Sequence, residues 1–404
     1  MLAEWVAAAL CVLPTSKLGP HVLGNTQDTG AQTLLQACPR VAKWLTPDGS
    51  VAAEISSYRA RCPGGVVVLR VYVDGATRYA TTAGAAASAD DFWSKMQPGL
   101  SGIAPSQVDW VEGPNELDNL PDWYHDLPTA NWFAAFWSRL ADLMDGAGYH
   151  PLVGSIAVGN PAMAGENGAG SPNYFSPIAA AMKSKGYLWG WSYHAYTKDL
   201  TQDPAQEIWY SLRYRNTLAQ CALGGVPLVL TEGGQDIPTG WQGRGTTAAA
   251  FLGWLEWFDA RMQEDPEVVG VTLFQVGEHG TWQNFDLGPV AAALAAYLAQ
   301  TRPDGGAGDA GLSPDAGPAD AGRPDAGSFD AGGPDGGADA GPADAGDPGA
   351  FDGGGPGGGG MEPARGGCGC GGAGLPAAAV TLALLGLMVR GKRDRRRADE
   401  VHRP

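Results

Sequence analysis

Two apolar stretches of this 404-residue chain run out into a carboxylate. QVDWVEGPNE closes on Asn115–Glu116, and PLVLTEGG carries Thr231–Glu232. A carboxylate at the end of a buried strand is costly unless it is paired or used. Two such groups facing one pocket can divide the labour of a displacement. One stays ionised and attacks as a nucleophile, while the other gives a proton to a leaving oxygen and later takes one from water. Between them, LWGWSYHAY ends in His194-Ala-Tyr196, whose rings fall on one side of a strand by the period-two rule. Arg70 and Tyr72 share a face of GVVVLRVYV, where Arg70 either meets a substrate or orients an acid; Lys43 in RVAKWL is open to the same two readings. Glu112 lies deeper in its strand than Glu116 and reads as a hydrogen-bonded interior acid rather than a catalyst.

These groups need a scaffold that brings separate strand ends together. Eight apolar runs read as strands: 18–24, 40–45, 65–73, 107–113, 151–158, 188–196, 227–234 and 268–276. Several are near-continuous β-branched runs, as strands buried on both faces should be. Helical patterns lie between them. The clearest is 129–148, with Trp132, Phe136, Leu140 and Leu143 on one stripe, a cap expected at Thr129 or Asn131, and a glycine stop at Gly146 or Gly148. Trp132, Trp137, Trp254 and Trp257 have helical spacing and are assigned to the core. Eightfold alternation predicts a (β/α)8 TIM barrel over 18–302, with an open doubly wound sheet as the alternative. No G-x-G-x-x-G follows the first strand, so nucleotide binding has no support. In a barrel the functional groups come from the carboxyl ends of the strands, which is where Glu116, His194, Tyr196 and Glu232 fall. Trp282, in the loop after the eighth strand, offers an aromatic face for a sugar ring, as do Trp123, Tyr124, His125 and Trp241.

A carboxylate pair about 5–5.5 Å apart is the arrangement of a retaining glycosidase. EGPNE (112–116) resembles the acid/base strand of clan A glycoside hydrolases, TEGG (231–234) resembles that clan's nucleophile strand, and HAY (194–196) resembles its sixth-strand His-x-Tyr. The resemblance implies Glu232 as nucleophile and Glu116 as acid/base. It also implies Asn115 as the contact to the sugar 2-hydroxyl, Tyr196 as the nucleophile's hydrogen-bond partner, and His194 close to the reacting sugar. Arg70 and Trp282 complete the expected substrate-binding set. Pro114 and Leu117 depart from the clan's usual residues on either side of Asn–Glu. The implied activity is cleavage of O-glycosidic bonds in a poly- or oligosaccharide by double displacement. The alternative is a carbohydrate-binding or adhesion barrel without turnover. The plainer readings are solvated strand-end charges for the two glutamates and a satisfied core histidine for His194. The dyad Glu278–His279 lacks a nearby third ligand, so neither a metal nor any other cofactor is expected.

The rest of the chain speaks to location. Residues 303–365 are near-repeats of Asp, Ala, Gly and Pro without the apolar residues a core needs, and are read as a disordered linker. The linker carries eleven Asp and one Glu against two Arg, and the net charge of the whole chain is −17. The barrel segment is also acidic, which argues against a nucleic-acid partner. Residues 366–404 hold Cys368 and Cys370, a short apolar segment over about 373–389, and a basic end, RGKRDRRR. That order predicts a membrane segment with a cytoplasmic C-terminus. It resembles the myxobacterial C-terminal sorting signal, which implies export and retention at the cell surface. Residues 1–17 read as an atypical signal or its remnant, outside the fold. In an oxidising compartment Cys38 and Cys62, each just before a predicted strand, could pair or stay free thiols. The barrel is expected to be a monomer whose partners are a glycan and, through the tail, a membrane.

Overall fold

The computed structural model describes residues 13–74, 83–117, 127–160, 176–220, 223–236 and 239–303. Eight parallel strands close into a barrel in sequence order. They are β1 (Leu18–Val22), β2 (Val41–Thr46), β3 (Val66–Val71), β4 (Trp110–Glu112), β5 (Pro151–Ile156), β6 (Gly190–Thr197), β7 (Leu228–Gln235) and β8 (Val268–Val276). β1 pairs with β8 to complete the ring. Each run picked out by apolar continuity forms a strand, and the closed barrel replaces the open-sheet alternative.

Helices clothe the outside: α1 (Thr29–Gln36), α2 (Ala52–Arg61), α3 (Ala85–Met96), α4 (Leu127–Gly146), α5 (Ser176–Lys185), α6 (Pro204–Glu207), α7 (Tyr214–Gln220), α8 (Gly240–Gly243), α9 (Ala248–Gln263) and α10 (Ala291–Gln300). α4 begins two residues before its expected Thr129 cap. It buries Phe133, Phe136, Trp137, Leu140 and Met144, with Trp132 stacked on Phe136 at 5.3 Å. In α9, Thr247 caps the first turn by accepting from the Ala250 N–H, and Trp254 stacks on Phe258. The tryptophans at helical spacing thus pack the shell between helices and strands, with Trp257 only partly buried at its margin.

The barrel interior divides by height. Its lower part is a small apolar cluster of Val41, Val68, Trp110, Leu152 and Val229. One pleat period further along the same strands, the inward positions become Lys43, Arg70, Glu112 and Thr231. Gly190 marks how tight the lower part is, since a Cβ there would meet Leu152 at 2.9 Å and Trp110 at 3.1 Å.

Cys38 and Cys62 are joined in a disulfide across 24 residues, tying the end of α1 to the end of α2 just below β2 and β3. Closing a loop of that length stabilises a fold by about 3 kcal/mol. The fold also begins earlier than the expected boundary at Leu18. The Lys17 N–H donates to Asp259, the Lys17 ammonium donates to the Met262 and Asp265 carbonyls, and Thr15 bonds the Thr301 carbonyl. A buried lysine needs those acceptors, so residues 15–17 belong to the barrel. Among the described residues no helix is long and apolar enough to cross a membrane. The expected linker after Pro303, the sorting tail with its 373–389 segment, and residues 1–12 lie outside the described residues.

Candidate active site

The upper interior is a network of charged and hydroxyl groups resting on the apolar cluster. At its base, Glu112 is fully buried. Its carboxylate takes the Lys43 ammonium at 2.6 Å and accepts from the Ser192 and Thr231 hydroxyls at 2.5 and 2.7 Å. Burial pushes the Glu112 carboxyl up, but Lys43, Arg70 and His194 outweigh it and hold it at about 2. Lys43 also donates to the Thr231 carbonyl at 3.1 Å. Glu112 is therefore the interior acid its position suggested, and Lys43 is committed to the protein rather than to a substrate.

Glu232 stands above this base. Its Oε1 lies 3.3 Å from the Arg70 guanidinium and 3.7 Å from the Lys43 ammonium. Its Oε2 accepts the Tyr196 hydroxyl at 2.9 Å and lies 3.7 Å from His194 Nδ1. The side chain is 9% exposed. Burial alone would favour the protonated acid, yet His194, Lys43 and Arg70 pull its pKa below the usual range. Burial and the neighbouring Glu232 push the Tyr196 phenol far up, so it remains a hydrogen-bond donor.

A bulge makes this possible. β6 and β7 run in register up to Tyr193 and Leu230, after which His194 faces Glu232 rather than Thr231. The extra residue lets Thr231 and Glu232, adjacent in sequence, both reach the interior, where strict alternation would turn one away.

Glu116 lies just beyond β4 and is the more open of the two glutamates, with its side chain 32% exposed. Its Oε1 is 2.8 Å from His194 Nδ1. Because that nitrogen is 3.7 Å from Glu232, the nearest oxygens of the two carboxylates stand no more than about 6.5 Å apart, where the range of inverting sites begins. Glu116 has a φ of 47°, and its N–H donates to the carbonyl of Ser155, which has a φ of 49°. Two non-glycine residues in left-handed conformation store strain of the kind that clusters at functional sites. Ser155 occupies a second bulge, where Gly154 and Ser155 together face β6. Gly154 has no room for a side chain, since a Cβ would come within 2.8 Å of the Ser192 carbonyl.

Asn115 is half-buried, and its side-chain oxygen accepts from Arg70 at 2.6 Å. Arg70 thus bridges Asn115 and Glu232 and orients an acid. His194 is fully buried, with Nδ1 on Glu116 and Nε2 on the Ser155 hydroxyl at 3.3 Å. Both of its ring nitrogens thus face protein groups, and the ring lies between the two glutamates. Burial works against charge on His194, but Glu232 and Glu116 more than offset it and raise its pKa.

Trp282 is half-buried and meets Phe274 edge-on at 5.4 Å. The loop that carries it is held by Glu278, whose carboxylate accepts the N–H groups of Gly280, Thr281 and Trp282, and by Gln275, which donates to the Glu278 and Trp282 carbonyls. Glu278 is thereby a loop clasp, and His279 bonds Asp28 instead. Trp241 is buried, stacked on Phe251 at 5.0 Å, and is not an available platform. Trp123, Tyr124 and His125 lie outside the described residues. Sequence reasoning missed Ser155, Phe274 and His21. A glycine interrupting the PLVGSIAV run was the available signal for the first; the others need the barrel register.

No protein-family model matches this chain, and no curated protein sequence does. Solved structures similar to it include a GH5 xyloglucan-specific endo-beta-1,4-glucanase from a metagenomic library, in complex with cellotriose. That match has 12% identity and a TM-score of 0.41 over 69% of this chain and 93% of the other. A GH128 endo-beta-1,3-glucanase from Amycolatopsis mediterranei in complex with laminaritriose is 16% identical, with a TM-score of 0.39 over 69% and 99%. A GH5-4 broad specificity endoglucanase from Clostridium longisporum is 12% identical, with a TM-score of 0.43 over 68% and 88%. Likeness at this distance carries no argument about activity or substrate.

Proposed function

We propose that this chain is a retaining glycoside hydrolase that cleaves O-glycosidic bonds of a poly- or oligosaccharide. The observation that carries the reading is the pair Glu116 and Glu232, bridged by one nitrogen of His194 and set in contrasting surroundings. Glu232, kept ionised by cations and oriented by Tyr196, attacks the anomeric carbon. As its oxygen bonds to that carbon, the glycosidic C–O bond breaks, and Glu116 passes its proton to the departing oxygen. In the second half, water attacks the same carbon, Glu116 takes the water's proton, and the bond to Glu232 breaks. The difference in exposure suits these roles, since leaving group and water must reach Glu116 whereas Glu232 needs only the sugar. In this reading Asn115, held by Arg70, binds the sugar's 2-hydroxyl, and Trp282 packs on its apolar face.

The test uses aryl glycosides that the parent protein cleaves. Glu232→Ala should lose about four orders of magnitude or more in turnover, and azide should restore it by forming a glycosyl azide of inverted configuration. Glu116→Ala should lose about 10²–10⁴-fold, least with the best leaving groups. Full activity in both variants would end this reading.

We also propose display at the cell surface through the C-terminal tail. The disulfide supports an oxidising location, and the order Cys motif, apolar segment, basic end supports anchoring. Truncation after residue 365 should release the protein from intact cells into the medium. A truncated chain that stayed with the cells would refute anchoring by the tail.

A further inference from the structure

His21 sits on β1 in register with Lys43 of β2 and Phe274 of β8. Residues in register on parallel strands share a face, so its ring projects into the interior beside the network under Glu232. The ring packs edge-on against Phe274 at 5.4 Å, and Phe274 packs in turn against Trp282. His21 is 1% exposed, and among the described residues neither ring nitrogen has a hydrogen-bond partner. Several core tryptophans also leave an indole N–H unpartnered, but His21 leaves both nitrogens of one ring so, and each forfeits hydration without compensation. The neighbouring polar groups are in contrast closely paired: Lys43 on Glu112, Arg70 on Asn115, His194 on Glu116 and Ser155.

The surroundings say what could satisfy this ring. Burial comes first, followed by the charges of Lys43, Arg70 and His194, and together they hold the imidazole well below its usual pKa and keep it neutral. A neutral imidazole offers one N–H and one lone pair. A hydroxyl, which both donates and accepts, matches it. β1 also lies nearly across the barrel from β4, which supplies Asn115.

We propose that His21 is a specificity-determining residue that hydrogen-bonds a hydroxyl of the bound sugar on the side away from Asn115, with Phe274 and Trp282 forming the adjoining apolar wall. This rests on the glycosidase reading and adds a second anchor for the same sugar. A fixed water is the other source of a matching hydroxyl, and substrate chemistry separates the two.

The experiment compares parent, His21→Phe and His21→Gln on aryl β-hexosides (gluco, galacto and manno) and their monodeoxy analogues. Turnover and calorimetric binding are both measured. Removing one particular hydroxyl should cost the parent about tenfold in kcat/KM and His21→Phe less than twofold. His21→Gln should regain part of the sensitivity. His21→Phe should melt no lower than the parent, because it removes two unpaired polar atoms. Turnover by the parent with equal sensitivity in all three proteins, or with only a water on the ring in a sugar-bound crystal structure, overturns the role of His21 and leaves the glycosidase reading standing. Binding without turnover that still shows the coupling keeps the role of His21 and overturns the glycosidase reading. Neither binding nor turnover overturns both.

Discussion

The lower and upper halves of the barrel interior are built from the same strands, two residues apart, and do opposite things. Below, Val41, Val68, Trp110 and Val229 pack with Leu152 into an apolar plug. Above, the next inward residues are Lys43, Arg70, Glu112 and Thr231, and nearly every polar atom is spoken for. The plug holds the strands by volume and shape. The polar half holds a charge in place, since His194, Lys43 and Arg70 keep Glu232 ionised against its burial while Glu112 balances Lys43. One pleat period separates the part that could be exchanged for other apolar residues from the part that could not.

The largest break in this comparison should come from Lys43→Met. Removing one partner of a buried ion pair costs about 3–5 kcal/mol, because the other charge is left behind. Glu112 carries a folded pKa of about 2, below its unfolded value. The stability it contributes is therefore present above the usual carboxylate range and is lost as pH falls through about 2. Without Lys43, denaturation in acid should begin at higher pH, and turnover should fall as Glu232 loses a cation. Melting curves across pH and kcat/KM on the same samples check both. An unchanged acid limb would mean that Lys43 does not set the charge of Glu112. A smaller and purely structural effect is expected from Leu152→Ala in the plug, about 3 kcal/mol for a cavity in a site with little freedom to collapse. Its kcat/KM at a permissive temperature should stay within about twofold of the parent. A large fall there would show that the plug sets the geometry above it.

Much of this was legible in the sequence, for physical reasons. Buried parallel strands need unbroken apolar runs, so all eight were visible, and with them the strand ends carrying Glu116, His194, Tyr196 and Glu232. The two bulges were not visible. Alternation places Thr231 and Glu232 on opposite faces, and only the shift against β6 brings both inward. The protein partners of His194 were not visible because Glu116 and Ser155 come from distant parts of the chain. Arg70 was open to two roles until Asn115 and Glu232 were seen on either side of it. His21 carried no signal, being one polar residue in a short strand. Lys17 was set outside the fold because its acceptors come from α9 and the turn after it, 242–248 residues away.

Thr15 and Thr301 meet at the end of the barrel where the strands begin, opposite the end that carries the glutamates. The strand ends bearing Glu116 and Glu232 therefore lie at the far end of the barrel from the point where the described chain leaves it at residue 303.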